Sequence, residues 1–205
     1  IFEDFIAATS SVPPGWSHTQ TGGTLALASL SYLTQTLSGS DNDLSQLYAS
    51  TATMTIAAGK RVHFRWRGKI DKGAAGTEGE QELYVGLAAV QTGTNFVAAD
   101  GLSLAADDFI GFASFDGSAN ISCVCRKTDV ESAESAASSY TDATLLDLAF
   151  DYDGTTVTFY KNGTQVAQIG TNVPTAALAP MIYVKAGEAK AAVLTTDYIW
   201  AAVER

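Results

Sequence analysis

The stretch Leu145-Leu146-Asp147-Leu148-Ala149-Phe150-Asp151-Tyr152-Asp153-Gly154-Thr155-Thr156-Val157-Thr158-Phe159-Tyr160-Lys161-Asn162-Gly163-Thr164-Gln165-Val166-Ala167-Gln168-Ile169 decides the fold. Leu146, Leu148, Phe150 and Tyr152 alternate with Asp147, Ala149, Asp151 and Asp153, the period of a strand with one buried face. Asp153-Gly154 makes a turn, Val157 and Phe159 carry a second strand out to Asn162-Gly163, and Val166 to Ile169 returns. Two tight hairpins in succession form an antiparallel meander.

The same texture extends outward in both directions. Towards the amino terminus, Val62-His63-Phe64-Arg65-Trp66-Arg67 alternates strictly after the turn Ala57-Ala58-Gly59-Lys60, and Thr51 to Ile56 reads as the strand before it. Leu83 to Val90 and Phe109 to Phe115 are nearly continuous apolar runs, as expected of strands buried on both faces. Asp116-Gly117-Ser118 turns the second run back into Ile121 to Cys125. Towards the carboxyl terminus, Met181 to Val184, Val193 to Thr196 and Tyr198 to Val203 read as three further strands, with Ala186-Gly187-Glu188 as a turn. Ten or more short strands with no helical periodicity predict an all-β antiparallel sandwich or barrel. Three stretches read as loops: Gly73 to Gly79, Gln91 to Asp108 as a crossing between sheets, and the Ser/Ala-rich Asp129 to Asp142. No repeat or linker divides the chain, so residues 1–205 are expected to form one domain.

Composition narrows the function. Twenty-two acidic residues against 12 basic give a net charge of -10, which argues against nucleic acid as a partner. No apolar window approaches the roughly 20 residues of a membrane helix, so a soluble protein without a membrane partner is expected. Cys123 and Cys125 lie at i, i+2, about 7 Å apart on one face of a strand, too far for an unstrained disulfide. They read as structural thiols.

The segment Asp151 to Ala167, with its Asp-Gly turn and its Tyr-Lys-Asn-Gly turn flanking successive strands, resembles the late hairpins of concanavalin A-like jelly rolls, the lectin, laminin-G and glucanase superfamily. Thr195 to Arg205 is similar to the last strand of that superfamily, which implies pairing with an amino-terminal strand, here Ile1 to Phe5. The resemblance also implies a structural calcium joining first and last strands, with Glu3, Asp4 and Asp197 as its acids. Beyond that metal no cofactor is expected. The Ala, Gly and Thr-rich texture, with Tyr160-Lys161-Asn162-Gly163-Thr164 and Met181 to Gly187, further resembles virion structural proteins of tailed bacteriophages. That resemblance implies a capsid decoration or cement protein on the outer capsid surface of the virion, partnered with the major capsid protein shell and assembled as a homo-oligomer, with a trimer expected at local three-fold axes.

Chemistry is expected to be absent. Glucanases of this fold would carry Glu-x-Asp-x-x-Glu or a close variant; Glu78-Gly79-Glu80-Gln81-Glu82 is the nearest cluster, lacks the aspartate and reads as a solvated strand entry. His18 sits in an expected loop and His63 between arginines, neither placed as a general base, and no Gly-x-Ser-x-Gly or Lys-bearing glycine loop occurs. The expectation is therefore no enzyme. The alternative is a carbohydrate-binding, lectin-like module, free-standing or on a phage tail, with Trp16, Tyr32, Tyr48 and Tyr140 as the aromatics in or near loops that would stack on a glycan.

The sharpest local feature is a basic strand: six of the 12 basic residues fall between Lys60 and Lys72. Alternation puts Arg61, His63, Arg65, Arg67 and Lys69 on one face, opposite Val62, Phe64, Trp66 and Gly68. Two outcomes are open. Asp147, Asp151 and Asp153 of the same chain could pair with the stripe as a cross-strand ladder, or Arg61, Arg65, Arg67 and Lys69 could dock on carboxylates of a neighbouring subunit or the shell.

Overall fold

The computed structural model describes residues 2–4, 12–28, 32–71, 81–89, 96, 107–118, 120–128 and 130–204. Sixteen strands and no helix occur among them. In chain order they are β1 (Phe2–Asp4), β2 (Trp16–Thr21), β3 (Thr24–Ala28), β4 (Tyr32–Thr36), β5 (Leu44–Ala49), β6 (Met54–Thr55), β7 (Val62–Asp71) and β8 (Gln81–Ala88). The second half holds β9 (Phe109–Ser114), β10 (Asn120–Lys127), β11 (Val130–Ser139), β12 (Leu146–Tyr152), β13 (Val157–Lys161), β14 (Thr164–Ile169), β15 (Ala177–Ala186) and β16 (Val193–Val203). Sheet A runs β14-β13-β12-β7-β16-β4-β3, with β1 paired to β16; sheet B runs β11-β10-β9-β8-β15-β5-β2, with β6 paired to β15. Every pairing is antiparallel. This is the expected all-β sandwich, and the expected β12-β13-β14 meander forms one flank of it.

The inward residues of the alternating strands meet between the sheets. Val62, Phe64 and Trp66 of β7 and Leu148 and Phe150 of β12 are buried with Val157 and Phe159 of β13. Phe64 stacks on Phe150 with centroids 5.0 Å apart, and Phe159 meets Phe112 of sheet B edge-on at 5.3 Å, joining the layers. Cys123 and Cys125 lie in the same core as free thiols, and burial pushes the Cys125 thiol up, keeping it protonated and inert.

The two sheets differ on their far faces. Sheet B carries a second apolar layer in which Tyr84, Phe109, Met181 and Tyr183 pack around Phe96. Gly86 and Gly111 pair there, and a side chain on Gly86 would strike the Ile110 carbonyl and the Tyr84 hydroxyl. With both faces of β8 and β9 covered, their runs of apolar residues follow. Sheet A keeps its far face open to water, and that face carries the basic strand.

Four expectations are corrected. The Asp129 to Asp142 stretch contains β11, an edge strand whose ladder to β10 is joined by side-chain bonds of Ser132 Oγ with Thr171 Oγ1 and Asn172 Nδ2 and of Ser138 Oγ with Lys161 Nζ. Gln91 to Asp108 joins β8 to β9, neighbours in sheet B, so it does not cross between sheets, although apart from Phe96, Asp107 and Asp108 it lies outside the described residues. Of Thr51 to Ile56 only Met54–Thr55 forms a strand. Val193 to Val203 is one strand, interrupted by a bulge at Asp197.

Candidate functional site

On the open face of sheet A, β7 presents Arg61, His63, Arg65, Arg67 and Lys69 outward, while Val62, Phe64, Trp66 and Gly68 are buried. Register sets Asp151 of β12 opposite His63, and their side chains meet at 2.6 Å, Nδ1 to Oδ1. Asp147 stands opposite Arg67 but is held diagonally by Arg65, whose Nε donates to Oδ1 at 2.8 Å and whose terminal nitrogen donates to Oδ2. This bidentate pair raises the guanidinium pKa further above its ordinary value, the hydrogen bond to Asp147 being the main cause. Arg67 turns the other way, towards Asp197 at 3.5 Å. Asp197 is available because the β16 bulge leaves it without a cross-strand partner between Thr196 and Tyr198.

The Asn162-Gly163 turn is clipped onto this row. Asp147 N donates to Asn162 Oδ1 at 3.0 Å, and Asn162 N donates to the Asp147 carbonyl at 2.7 Å. Positive φ at both turn residues, 50° and 78°, gives the tight hairpin that folds Gly163 over Asp147. The result is a run of open clefts. One of about 410 Å³ lies among Arg65, Arg67, Leu145, Asp147, Asn162 and Gly163. A second, about 260 Å³, continues past Asp147 to Asp151 and Tyr160. A third, about 360 Å³, shares Leu145 with the first and extends to Lys69, Thr195, Thr34 and Tyr32. Aromatic faces border the row: the Arg65 guanidinium sits 5.8 Å from the Tyr198 ring centre, and Trp200, 36% exposed, lies 6.0 Å from His63.

Of the stripe residues, three are therefore met by carboxylates of the same chain. Arg61 is exposed, with its backbone N–H bonded to Glu204 at 3.1 Å, and neither its side chain nor that of Lys69 has an ion pair among the described residues. Asp153 is not a rung of the ladder. Its Oδ1 accepts from Thr156 N, Thr155 Oγ1 and Thr155 N, each at 2.8 Å, and these bonds hold its carboxyl below the usual range.

Other expected site residues fall differently. Trp16, Tyr48 and Tyr140 are buried and cannot offer a stacking face; Tyr32 alone of the four lines a cleft. The pairing of Glu3 with Ile199 and of Asp4 with Tyr198 brings the first strand beside Asp197 as expected. The side chains of Glu3 and Asp4 lie outside the described residues, Asp197 faces Arg67, and no group of three or more ligating side chains that could hold a metal occurs among the described residues. Glu78 and Glu80 also lie outside them, but Glu82 overturns the solvated reading of its cluster: it is fully buried, and its carboxylate stands 3.1 Å from the equally buried Lys185 ammonium. His18 is in β2, not a loop. Its Nε2 lies 2.8 Å from Ser45 Oγ, to which Gln35 Nε2 also donates at 2.9 Å, a serine–histidine contact between the sheets. Three residues on three strands of two sheets leave no spacing in the sequence by which to find it.

No family model matches the chain, and no curated protein matches it in sequence. Solved structures do match. The Emp47p carbohydrate recognition domain superposes with a TM-score of 0.65 at 11% identity, covering 97% of this chain and 92% of that one. An endo-1,3-beta-glucanase from Streptomyces sioyaensis gives 0.67 at 10%, covering 99% and 95%, and an endo-beta-1,4-glucuronan lyase from Trichoderma reesei gives 0.64 at 8%, covering 98% and 94%. The fold is a concanavalin A-like jelly roll. At this identity the likeness establishes the fold alone. It also corrects the expectation of no enzyme: jelly rolls that superpose along almost the whole chain include glucanases, a lyase and a glycosidic hydrolase, so the fold is one that hosts catalysis.

Proposed function

We propose that this jelly roll binds carbohydrate on the open face of sheet A. The observation that carries the reading is the bidentate Arg65–Asp147 pair at the junction of two connected clefts, with Asn162, Tyr160 and Tyr198 around it. A sugar ring offers vicinal hydroxyls that both donate and accept, and an apolar C–H face. Asp147 supplies acceptors, Arg65, Arg67 and the Asn162 amide nitrogen supply donors, and aromatic rings supply a stacking surface. The ion pairs hold these groups in place before a ligand arrives, lowering the ordering cost of binding. Exposed pairs contribute under about 1 kcal/mol each to folding, so stability alone is a weak account of three in a row. Support also comes from the fold, whose superposing members bear the names of a carbohydrate recognition domain and of polysaccharide-cleaving enzymes.

A glycan panel read by calorimetry tests this. Wild-type protein should give saturable binding, and Arg65→Ala and Trp200→Ala should each weaken it about tenfold, the loss of one good contact, while leaving the melting temperature nearly unchanged. Mass spectrometry of the same incubations shows whether a bound oligosaccharide is also cut. No saturable binding to any glycan would contradict the proposal.

A second reading, virion decoration through the basic stripe, is favoured by the two cations at its ends, Arg61 and Lys69, which have no ion pair among the described residues. Since Arg65 and Arg67 already face Asp147 and Asp197, docking on shell carboxylates would fall to the two ends. Under this reading the protein sediments with intact virions in lattice-like copy number, as a homo-oligomer, and Arg61→Glu with Lys69→Glu abolishes it; free protein at full yield and none on particles would exclude it.

A further inference from the structure

We infer that the cleft at the Lys69 end of the groove is a subsite for a singly charged acidic sugar, an inference that rests on the carbohydrate reading above. Along β7 His63, Arg65 and Arg67 each face a carboxylate, on β12 or at the β16 bulge. At Lys69 the pattern changes. Its cross-strand partner on β16 is Thr195, which pairs in turn with Thr34 of β4, and on the other side Leu145 precedes the Leu146–Gly68 rung. Lys69 thus lines a cleft of about 360 Å³ whose other side chains are two threonines, the Tyr32 phenol and Leu145. Among the described residues it has no anionic partner.

That set of groups has a complement. One ammonium pairs with the one negative charge that a carboxylate or a sulfate ester on a sugar carries. The Thr195 hydroxyl and the Tyr32 phenol both donate and accept, as ring hydroxyls require, while Thr34 Oγ1, which donates to the Ala26 carbonyl at 3.1 Å, adds an acceptor. Leu145, 41% exposed, is an apolar wall for the C–H face of the ring. The chain's net charge of -10 repels anions at long range, so preference for an acidic sugar must be local to a site such as this one. Because the cleft shares Leu145 with its neighbour at Arg65 and Asp147, an oligosaccharide can place an acidic ring at Lys69 and a following ring at the Arg65–Asp147 pair.

Calorimetry with matched ligands tests the inference: oligomers of glucuronic, galacturonic and mannuronic acid, their carboxyl-reduced neutral forms, and sulfated neutral oligomers. Wild-type protein should bind one acidic series about tenfold more tightly than its neutral form, the gain of one charge-assisted contact, and less so as salt rises. Lys69→Met should bring the acidic series down to the affinity of its neutral form, and Lys69→Arg should retain the advantage. Preference for the uronate or for the sulfated series identifies the anion. If neutral and acidic forms bind equally, or Lys69→Met leaves the preference intact, the subsite is wrong while the carbohydrate reading stands. If no oligomer of any series binds, both fail.

Discussion

Glu82 and Lys185 face each other across β8 and β15 with no exposure to water. Withdrawing two charges costs several kcal/mol, which their attraction roughly offsets, so the pair adds little net stability but penalises its own separation. A slide of β15 against β8 by two residues would leave both charges buried and apart, and the pair therefore specifies register. Removing one partner, by Glu82→Gln or Lys185→Met, is expected to cost about 3 to 5 kcal/mol, whereas Glu82→Met with Lys185→Met should cost much less than the sum. Urea unfolding of the three variants checks this, and single-variant losses under about 1 kcal/mol would show that the pair is not isolated from water. The sequence conceals this role because Glu82 adjoins a small-residue stretch while its partner lies on a distant strand. Solvated and buried carboxylates look alike until the register is known.

At the scale of elements, legibility followed side-chain alternation. β7 and β12 alternate strictly and were readable to within a residue or two, as was the β12-β13-β14 meander. β11 was not, since its sequence, mostly Ser, Ala and Glu, shows no alternation of apolar and polar residues. The β16 bulge was read as a break at Asp197, and it is the bulge that delivers that carboxylate to Arg67. Across β2, β5 and β4 the His18–Ser45–Gln35 contacts were invisible for the opposite reason: each residue is unremarkable within its own strand. Burial lowers the His18 pKa below its ordinary 6.5 by penalising the charged ring. The folded chain then binds fewer protons than the unfolded chain, so this contribution is complete above about 6.5 and is lost as pH falls below that value. Urea midpoints should decline between pH 7 and pH 5.5, and His18→Gln should flatten part of that slope. Equal slopes for the two proteins would show that His18 titrates freely in the fold.

The molecule as a whole is asymmetric. The central strands of sheet B are covered on both faces, whereas sheet A turns a charged face to water, and half of the basic residues of an acidic chain fall in or beside one of its central strands. The jelly roll was legible from strand spacing and turns, and the stripe from alternation; the clefts were not, because they arise from the diagonal Arg65–Asp147 pairing and the folded-back Asn162-Gly163 turn. The central claim is that ligand binds on this open face. Backbone amide chemical shifts, followed by NMR during titration with the tightest-binding oligosaccharide, test it most directly. The account predicts saturable changes clustered at Arg65, Arg67, Asp147, Tyr160 and Gly163, with Tyr84, Phe109 and Tyr183 unmoved; changes confined to those sheet B residues, or none that saturate, would contradict it.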